Sequence, residues 1–175
     1  MDARLQEMLD HYEIRKTLSE YCHACDRADA DLMGSTYTGD DSFDDHGLTQ
    51  APGPEFAEVM TRRIADRTES IWHGLGQSLV KVEGDTAVAE TFFLGVMRML
   101  PDEAKGPRIN QLFGRFVDRL ERIDGIWKIK HRTCLRDTSI TVAVEQDDYA
   151  AFGFKAGTRD SNDLGVASLG IAHRT

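Results

Sequence analysis

Cysteine is scarce in this chain: Cys22, Cys25 and Cys134 are an odd number and too few for a disulfide framework, which implies a reducing compartment. Positive charge is also in deficit. The 21 Lys and Arg residues face 30 Asp and Glu residues, giving a formal net charge of -9. That surplus repels phosphate backbones and anionic lipid surfaces, so neither nucleic acid nor a membrane is an expected partner. There is no uninterrupted apolar run long enough to span a bilayer, and Met1-Asp2-Ala3-Arg4 leads into an amphipathic pattern with no apolar leader. The cytoplasm is the expected location.

Cofactor and metal motifs are lacking as well. Gly74-Leu75-Gly76 has no third glycine at the dinucleotide-binding spacing and precedes a strand, and no phosphate-loop pattern is present. Cys22-His23-Ala24-Cys25 has redox-motif spacing but lies near the end of a long helix, where nothing lowers a thiol pKa. The acidic run Asp40, Asp41, Asp44, Asp45 and His46 lacks the glycine and terminal glutamate of a calcium loop and reads as a turn plus strand edge. The expectation is no cofactor and no metal.

What is present is enough apolar material, 41% of 175 residues, for one full core, with no repeats and no low-complexity block. Leu5, Met8, Leu9, Tyr12, Ile14, Leu18, Tyr21, Cys22 and Cys25 recur at helical spacing and predict a long amphipathic helix to about Ala28. A short helix follows from Asp29 to Ser35, then a short strand around Phe43, then a third helix from Glu55 to Asp66 opened by Gly53-Pro54. Beyond Thr68 the texture becomes β-rich. Strands are expected at about Ile71 to Val82, Thr86 to Met99, Arg108 to Arg122 and Ile126 to Val144, parted by Glu83-Gly84-Asp85, a Pro101 to Pro107 loop and Asp124-Gly125. Helices first and consecutive strands after predict an α+β domain over residues 1–146, its long antiparallel sheet curled around three N-terminal helices. Residues 147–175, rich in Gly, Ser, Asp and Ala, form a tail that is a flap or disordered.

Asp26 falls four residues after Cys22 and eight after Leu18, on the flank of the inward stripe. A helix C-terminus disfavours negative charge, which argues for function over capping. His73, between Trp72 and Gly74, is either a satisfied core histidine or a general base. Paired, a carboxylate would fix the tautomer of the imidazole and stabilise the imidazolium formed on proton abstraction. On the last strand Arg132, Cys134 and Arg136 share one face, and either arginine could point inward to steady an oxyanion. Phe92, Phe93, Met97, Met99, Leu112, Phe113 and Phe116 supply candidate walls for a small hydrophobic, aromatic ligand, with Cys25 and Phe43 beside them.

The segment Tyr21 to Asp29, the strand Trp72-His73-Gly74-Leu75-Gly76, the turn Glu83 to Glu90 and the hairpin Gly114 to Arg132, in that order, resemble the SnoaL-like, scytalone dehydratase-like branch of the nuclear-transport-factor-2-like superfamily over about Leu5 to Ser139. The resemblance implies a cone-shaped fold and a cofactor-independent lyase. In it His73 and Asp26 match a catalytic histidine and aspartate, Tyr21 and Arg132 match catalytic residues of bile-acid dehydratases and of hexachlorocyclohexane dehydrochlorinase, and Arg136 matches a binding arginine. The implied reaction is dehydration, or retro-aldol loss of formaldehyde, on a small cyclic or aromatic hydroxylated compound, with an isomerase, a cyclase or a non-catalytic ligand-binding module as alternatives on the same fold. Cys25, Asp45 and Met97 stand where scytalone dehydratase has tyrosines and a second histidine, which speaks against scytalone itself. Relatives also imply a homo-dimer or homo-trimer.

Overall fold

Asp2 begins the first helix by accepting a hydrogen bond from the Arg4 amide, and Ala28 ends it in the left-handed conformation. Between them α1 runs from Ala3 to Arg27. The computed structural model describes residues 2–103, 105–145 and 152–170. The face of α1 turned inward carries Asp10, Ile14, Thr17, Leu18, Tyr21, Cys22, Ala24 and Cys25. The first half of the expected apolar stripe is not part of it: Leu5, Met8 and Tyr12 are 48%, 69% and 68% exposed. The reason is Asp10, a buried carboxylate that accepts from Arg122 Nη1 (2.7 Å), Gln6 Nε2 (3.0 Å) and Trp127 Nε1 (3.3 Å). Three donors satisfy a polar group that hydropathy alone assigns to solvent.

Helix α2 spans Ala30–Ser35, capped by Asp29, which accepts from the Leu32 amide at 2.9 Å. The chain then passes through β1 (Phe43–Asp45) and β2 (Gln50–Ala51), the latter too short to register as a strand in sequence. Helix α3 (Gly53–Arg67) follows, with proline in its first turn. Four long strands complete the sheet: β3 (Thr68–Glu83), β4 (Thr86–Met99), β5 (Arg108–Ile123) and β6 (Ile126–Ala143). The sheet order is β2-β1-β6-β5-β4-β3. Strands β3 to β6 form the expected antiparallel meander, but β1 lies parallel to β6, with Phe43 opposite His131 and Asp45 opposite Thr133. No hairpin joins β1 to β6, so nothing local dictates an antiparallel pairing.

Register shifts at Leu75/Ser78, Phe113/Gly114 and Arg119/Leu120 bend the long strands into an open cone around the helices. At the first, Arg15 of α1 donates to the carbonyls of Gly76 (2.7 Å) and Leu75 (3.1 Å), fixing the helix against β3. Gly114 is required at the second, because a Cβ there would lie 2.3 Å from the Leu135 carbonyl oxygen and 3.0 Å from the Phe93 ring. Phe93, Phe116, Leu120, Trp127 and Ile129 on the concave face pack against Ile14, Leu18, Tyr21, Met33 and Phe56 from the helices. Alternation leaves Phe92 and Phe113, on the opposite parity to Phe93 and Phe116, out of that core cluster.

The expected boundary between domain and tail, at residues 146 and 147, lies outside the described residues. Farther on, α4 (Leu164–Leu169) buries Val166, and its capping residue Asp163 pairs with Arg27 at 3.5 Å. Arg159 donates to the carbonyl and hydroxyl oxygens of Thr68 at 2.8 and 2.6 Å, tying this segment to the start of β3. Among the described residues no helix is long and apolar enough to cross a membrane.

Candidate active site

Asp26 lies in the last turn of α1 and His73 on β3, and the fold closes the gap between them. Asp26 Oδ1 is 2.6 Å from His73 Nδ1, and Oδ2 accepts the His73 backbone N–H at 3.0 Å. A carboxylate is an acceptor, so the Nδ1 atom facing it carries hydrogen and the neutral ring is left with Nε2 as its basic nitrogen. Both side chains are nearly covered, His73 at 10% and Asp26 at 14% exposure. Gly95, opposite His73 on β4, leaves that face of the ring open: a Cβ on it would stand 3.6 Å from Nε2.

Around His73 lies a pocket lined by Tyr21 and Cys25 of α1, Met60 and Ile64 of α3, Ile71 of β3, Phe93, Gly95 and Met97 of β4, Leu112 and Phe116 of β5, Cys134 of β6, and His46. Its room for the centre of a water molecule is about 120 Å³, suited to a compact ligand. Other concavities, beside Asp10 and Lys81, beside Arg27 and Asp163, beside Arg67 and Arg108, and beside Arg119 and Lys130, are larger but more polar, and none contains the histidine pair. Phe93 and Phe116, both part of the lining, stack face to face with centroids 4.2 Å apart and form its aromatic wall. Tyr21 packs edge-on against Phe116, and burial pushes its phenol pKa well above the ordinary value, so it enters the pocket as an O–H group. Burial likewise pushes Cys22 up to about 12 and Cys25 upward, which keeps both as unreactive thiols.

His46 was not expected here. The acidic run that reads as turn and strand edge in sequence instead sends Asp44 into the interior, where it is fully buried. Tyr37 O–H donates to Asp44 Oδ2, and Asp44 Oδ1 holds His46 Nδ1. Tyr37 is placed by its bridge to Ile129 on β6. The His46 ring lies 4.8 Å from that of Phe56 and 6.1 Å from that of Phe116. Burial lowers its pKa, but hydrogen bonds with Asp44 and Cys134 outweigh burial and raise it to about 9. The available signal was the spacing: residues 44 and 46, two apart on an extended segment, share one face.

The remaining expected site residues fall in different places. Met97, Phe116 and Cys25 line the pocket. Arg132 lies behind it, fully buried and bound side-on to Asp118 through Nε (2.7 Å) and Nη2 (2.9 Å). Its guanidinium carbon stands in the corner where the Tyr21 and Phe116 rings meet edge-on, 4.1 and 4.0 Å from their centroids. Nη1 is buried with no hydrogen-bond partner. Arg136 is exposed and forms no part of the pocket lining. Phe43 also lies outside, stacked on His131 at 5.8 Å. Among the described residues no cluster of His, Cys, Asp and Glu could hold a metal ion.

Comparison with solved structures places this architecture among cone-shaped nuclear-transport-factor-2-like folds. A hexachlorocyclohexane dehydrochlorinase, LinA type 2, is 16% identical with a TM-score of 0.72, covering 83% of this chain and 97% of that one. The LinA type 3 enzyme of Novosphingobium barchaimii is 17% identical with a TM-score of 0.71, covering 83% and 99%. A provisionally named scytalone dehydratase from Novosphingobium aromaticivorans is 15% identical with a TM-score of 0.68, covering 81% and 93%. No curated protein sequence matches significantly. The sequence profile of the SnoaL-like domain matches residues 6–133, which span the three helices, the whole meander as far as the middle of β6, and every residue lining the pocket except Cys134, so the chain belongs to the SnoaL-like domain family.

Proposed function

We propose that this chain is a cofactor-independent lyase in which His73, oriented by Asp26, removes a proton from carbon while an adjacent group departs. The observation that carries the reading is the division of labour on one imidazole: Nδ1 is committed to Asp26 at 2.6 Å, and Nε2 is left facing the open side over Gly95. Among the described residues the pocket lining holds no serine or threonine, and burial keeps the Cys25 thiol protonated, which suits proton abstraction and elimination better than acyl transfer. Dehydratase and dehydrochlorinase, the names of the similar structures, denote loss of water and of hydrogen chloride, two outcomes of the same proton abstraction. The stacked Phe93–Phe116 wall and the small volume favour a compact cyclic or aromatic hydroxylated substrate with water as the leaving group.

The test is a mass-spectrometric screen of hydroxylated aromatic and alicyclic compounds with the wild-type chain and His73→Gln. The expected result is a product lighter by water, formaldehyde or hydrogen halide with the wild type, and loss of that turnover with an unchanged thermal midpoint in the variant. Equal turnover by His73→Gln, or no consumption of any compound by the wild type, would leave a ligand-binding module as the better account.

A further inference from the structure

We propose that His46, held by Asp44 and Tyr37, is a second catalytic residue of this pocket, the hydrogen-bond and proton donor to the departing oxygen of the substrate. The proposal rests on the reading of His73 as the base and adds the acid that the elimination needs.

Two aspartate–histidine pairs reach this pocket from different parts of the fold, one from α1 and β3, the other from β1 and the residue that follows it. The two imidazoles bracket the aromatic wall. His73 lies 6.0 Å from Phe93, Phe93 is stacked on Phe116, and Phe116 lies 6.1 Å from His46. Both imidazoles line the same small pocket, so a ligand that fills it meets both. The two are not equivalent. The Asp44 carboxyl is fully buried, receives Tyr37 O–H on Oδ2 and holds the His46 ring on Oδ1, while Arg132, opposite Asp44 in the sheet, is engaged side-on by Asp118. The other elements around the ring supply Phe56 from α3, Phe116 from β5 and Cys134 from β6, of which Cys134 is the titratable one. A thiol sulfur is a weak acceptor, readily displaced by a substrate oxygen, so the second ring N–H is available to a ligand.

The chemistry balances without an added reagent. His73 Nε2 takes the proton from the substrate C–H, the electron pair forms the carbon–carbon double bond, and the adjacent C–O bond breaks. The departing oxygen takes a proton from His46 and leaves as water. His73 ends as imidazolium and His46 as neutral imidazole, and proton exchange with solvent during product release restores both. The ligand class that follows is a compact, planar, apolar molecule whose oxygen substituent gains negative charge in the reaction.

4-Nitrophenol is a suitable probe because its bound phenolate stands in for that oxygen and is visible by absorbance. Its ionisation is to be measured when bound to the wild type, His46→Gln, Asp44→Asn and His73→Gln. A donor at His46 favours the phenolate, so the bound probe should ionise about one pH unit lower than the free one, a tenfold preference, in the wild type and in His73→Gln. The shift should vanish in His46→Gln and shrink in Asp44→Asn. If His46→Gln fails to fold, nitrogen-15 NMR of the wild type decides: both ring nitrogens of His46 should be protonated at pH 7.5 and their signals should move on adding the probe. An unchanged shift in His46→Gln, absence of binding by the wild type, or a neutral His46 at pH 7.5 would overturn the proposal. Failure of the underlying reading looks different, as turnover retained in His73→Gln.

Discussion

Asp26 grips His73 twice, through the ring Nδ1 at 2.6 Å and through the backbone N–H at 3.0 Å, so one carboxylate sets both the tautomer of the imidazole and the position of its strand. Replacing it with asparagine keeps the shape but puts an amide where an acceptor pair stood. The expected result for Asp26→Asn is a fall in kcat of about 10²–10⁴-fold, the usual weight of a positioned acid or base. The substrate-free check is nitrogen-15 NMR: the wild-type ring should carry its hydrogen on Nδ1, and the variant should show a mixed or reversed tautomer. A ring with its hydrogen on Nε2 in the wild type would contradict the assignment.

Gly95 supplies a test that leaves both members of the pair intact. A methyl group there would sit 3.6 Å from His73 Nε2 and 3.9 Å from Leu112 Cβ, ordinary contact distances, so Gly95→Ala should fold with a thermal midpoint at or slightly above the wild type. The same methyl occupies the approach to the basic nitrogen. Turnover should fall at least tenfold while the His73 tautomer stays as it was, and undiminished activity would show that substrate arrives from another side.

Much of this architecture is legible in the chain, because helical and strand periods and Gly-containing turns are local signals. The strands Thr86–Met99 and Arg108–Ile123 end within a residue of where pattern and turns place them. What sequence misses is where a polar residue is buried because another part of the chain satisfies it. Asp10 and Asp44 look like solvent-facing acids until Arg122, Trp127 and Tyr37 are brought to them from distant or separate segments. The same blindness hid His46, whose value depends on Asp44, and it left Arg132 and Arg136 indistinguishable although one is sealed in the core and the other is exposed. Strand alternation gives a shared face but not how deep along the cone each position lies.

The buried Arg132–Asp118 pair predicts an asymmetric stability effect. Asp118→Asn removes the charge that balances a fully buried guanidinium and should cost about 3–5 kcal/mol in urea unfolding. The double change Arg132→Met with Asp118→Leu removes both charges and should cost distinctly less than the single one. Arg132→Lys loses the guanidinium contacts with the Tyr21 and Phe116 rings as well as the side-on bond, so it should behave as a disruptive substitution. Equal stability of Asp118→Asn and wild type would mean that the pair is hydrated in solution.

Asp10 predicts how stability responds to acid. Burial raises its pKa, yet hydrogen bonds from Arg122, Gln6 and Trp127 outweigh burial and hold it below the ordinary 3.8. A carboxyl whose folded pKa is depressed takes up protons more readily in the unfolded chain, so its stabilisation is present above about pH 4 and fades as pH falls through the lower, folded value. Asp10→Asn should therefore be less stable than wild type at pH 7, by about 2 kcal/mol for the loss of charged hydrogen bonds. Its urea midpoint should also change less than the wild type's between pH 5 and pH 2.5. Parallel acid limbs for the two proteins would show that Arg122 and Trp127 do not hold this carboxylate in solution, and that the polar half of α1 is fixed to the sheet by other contacts.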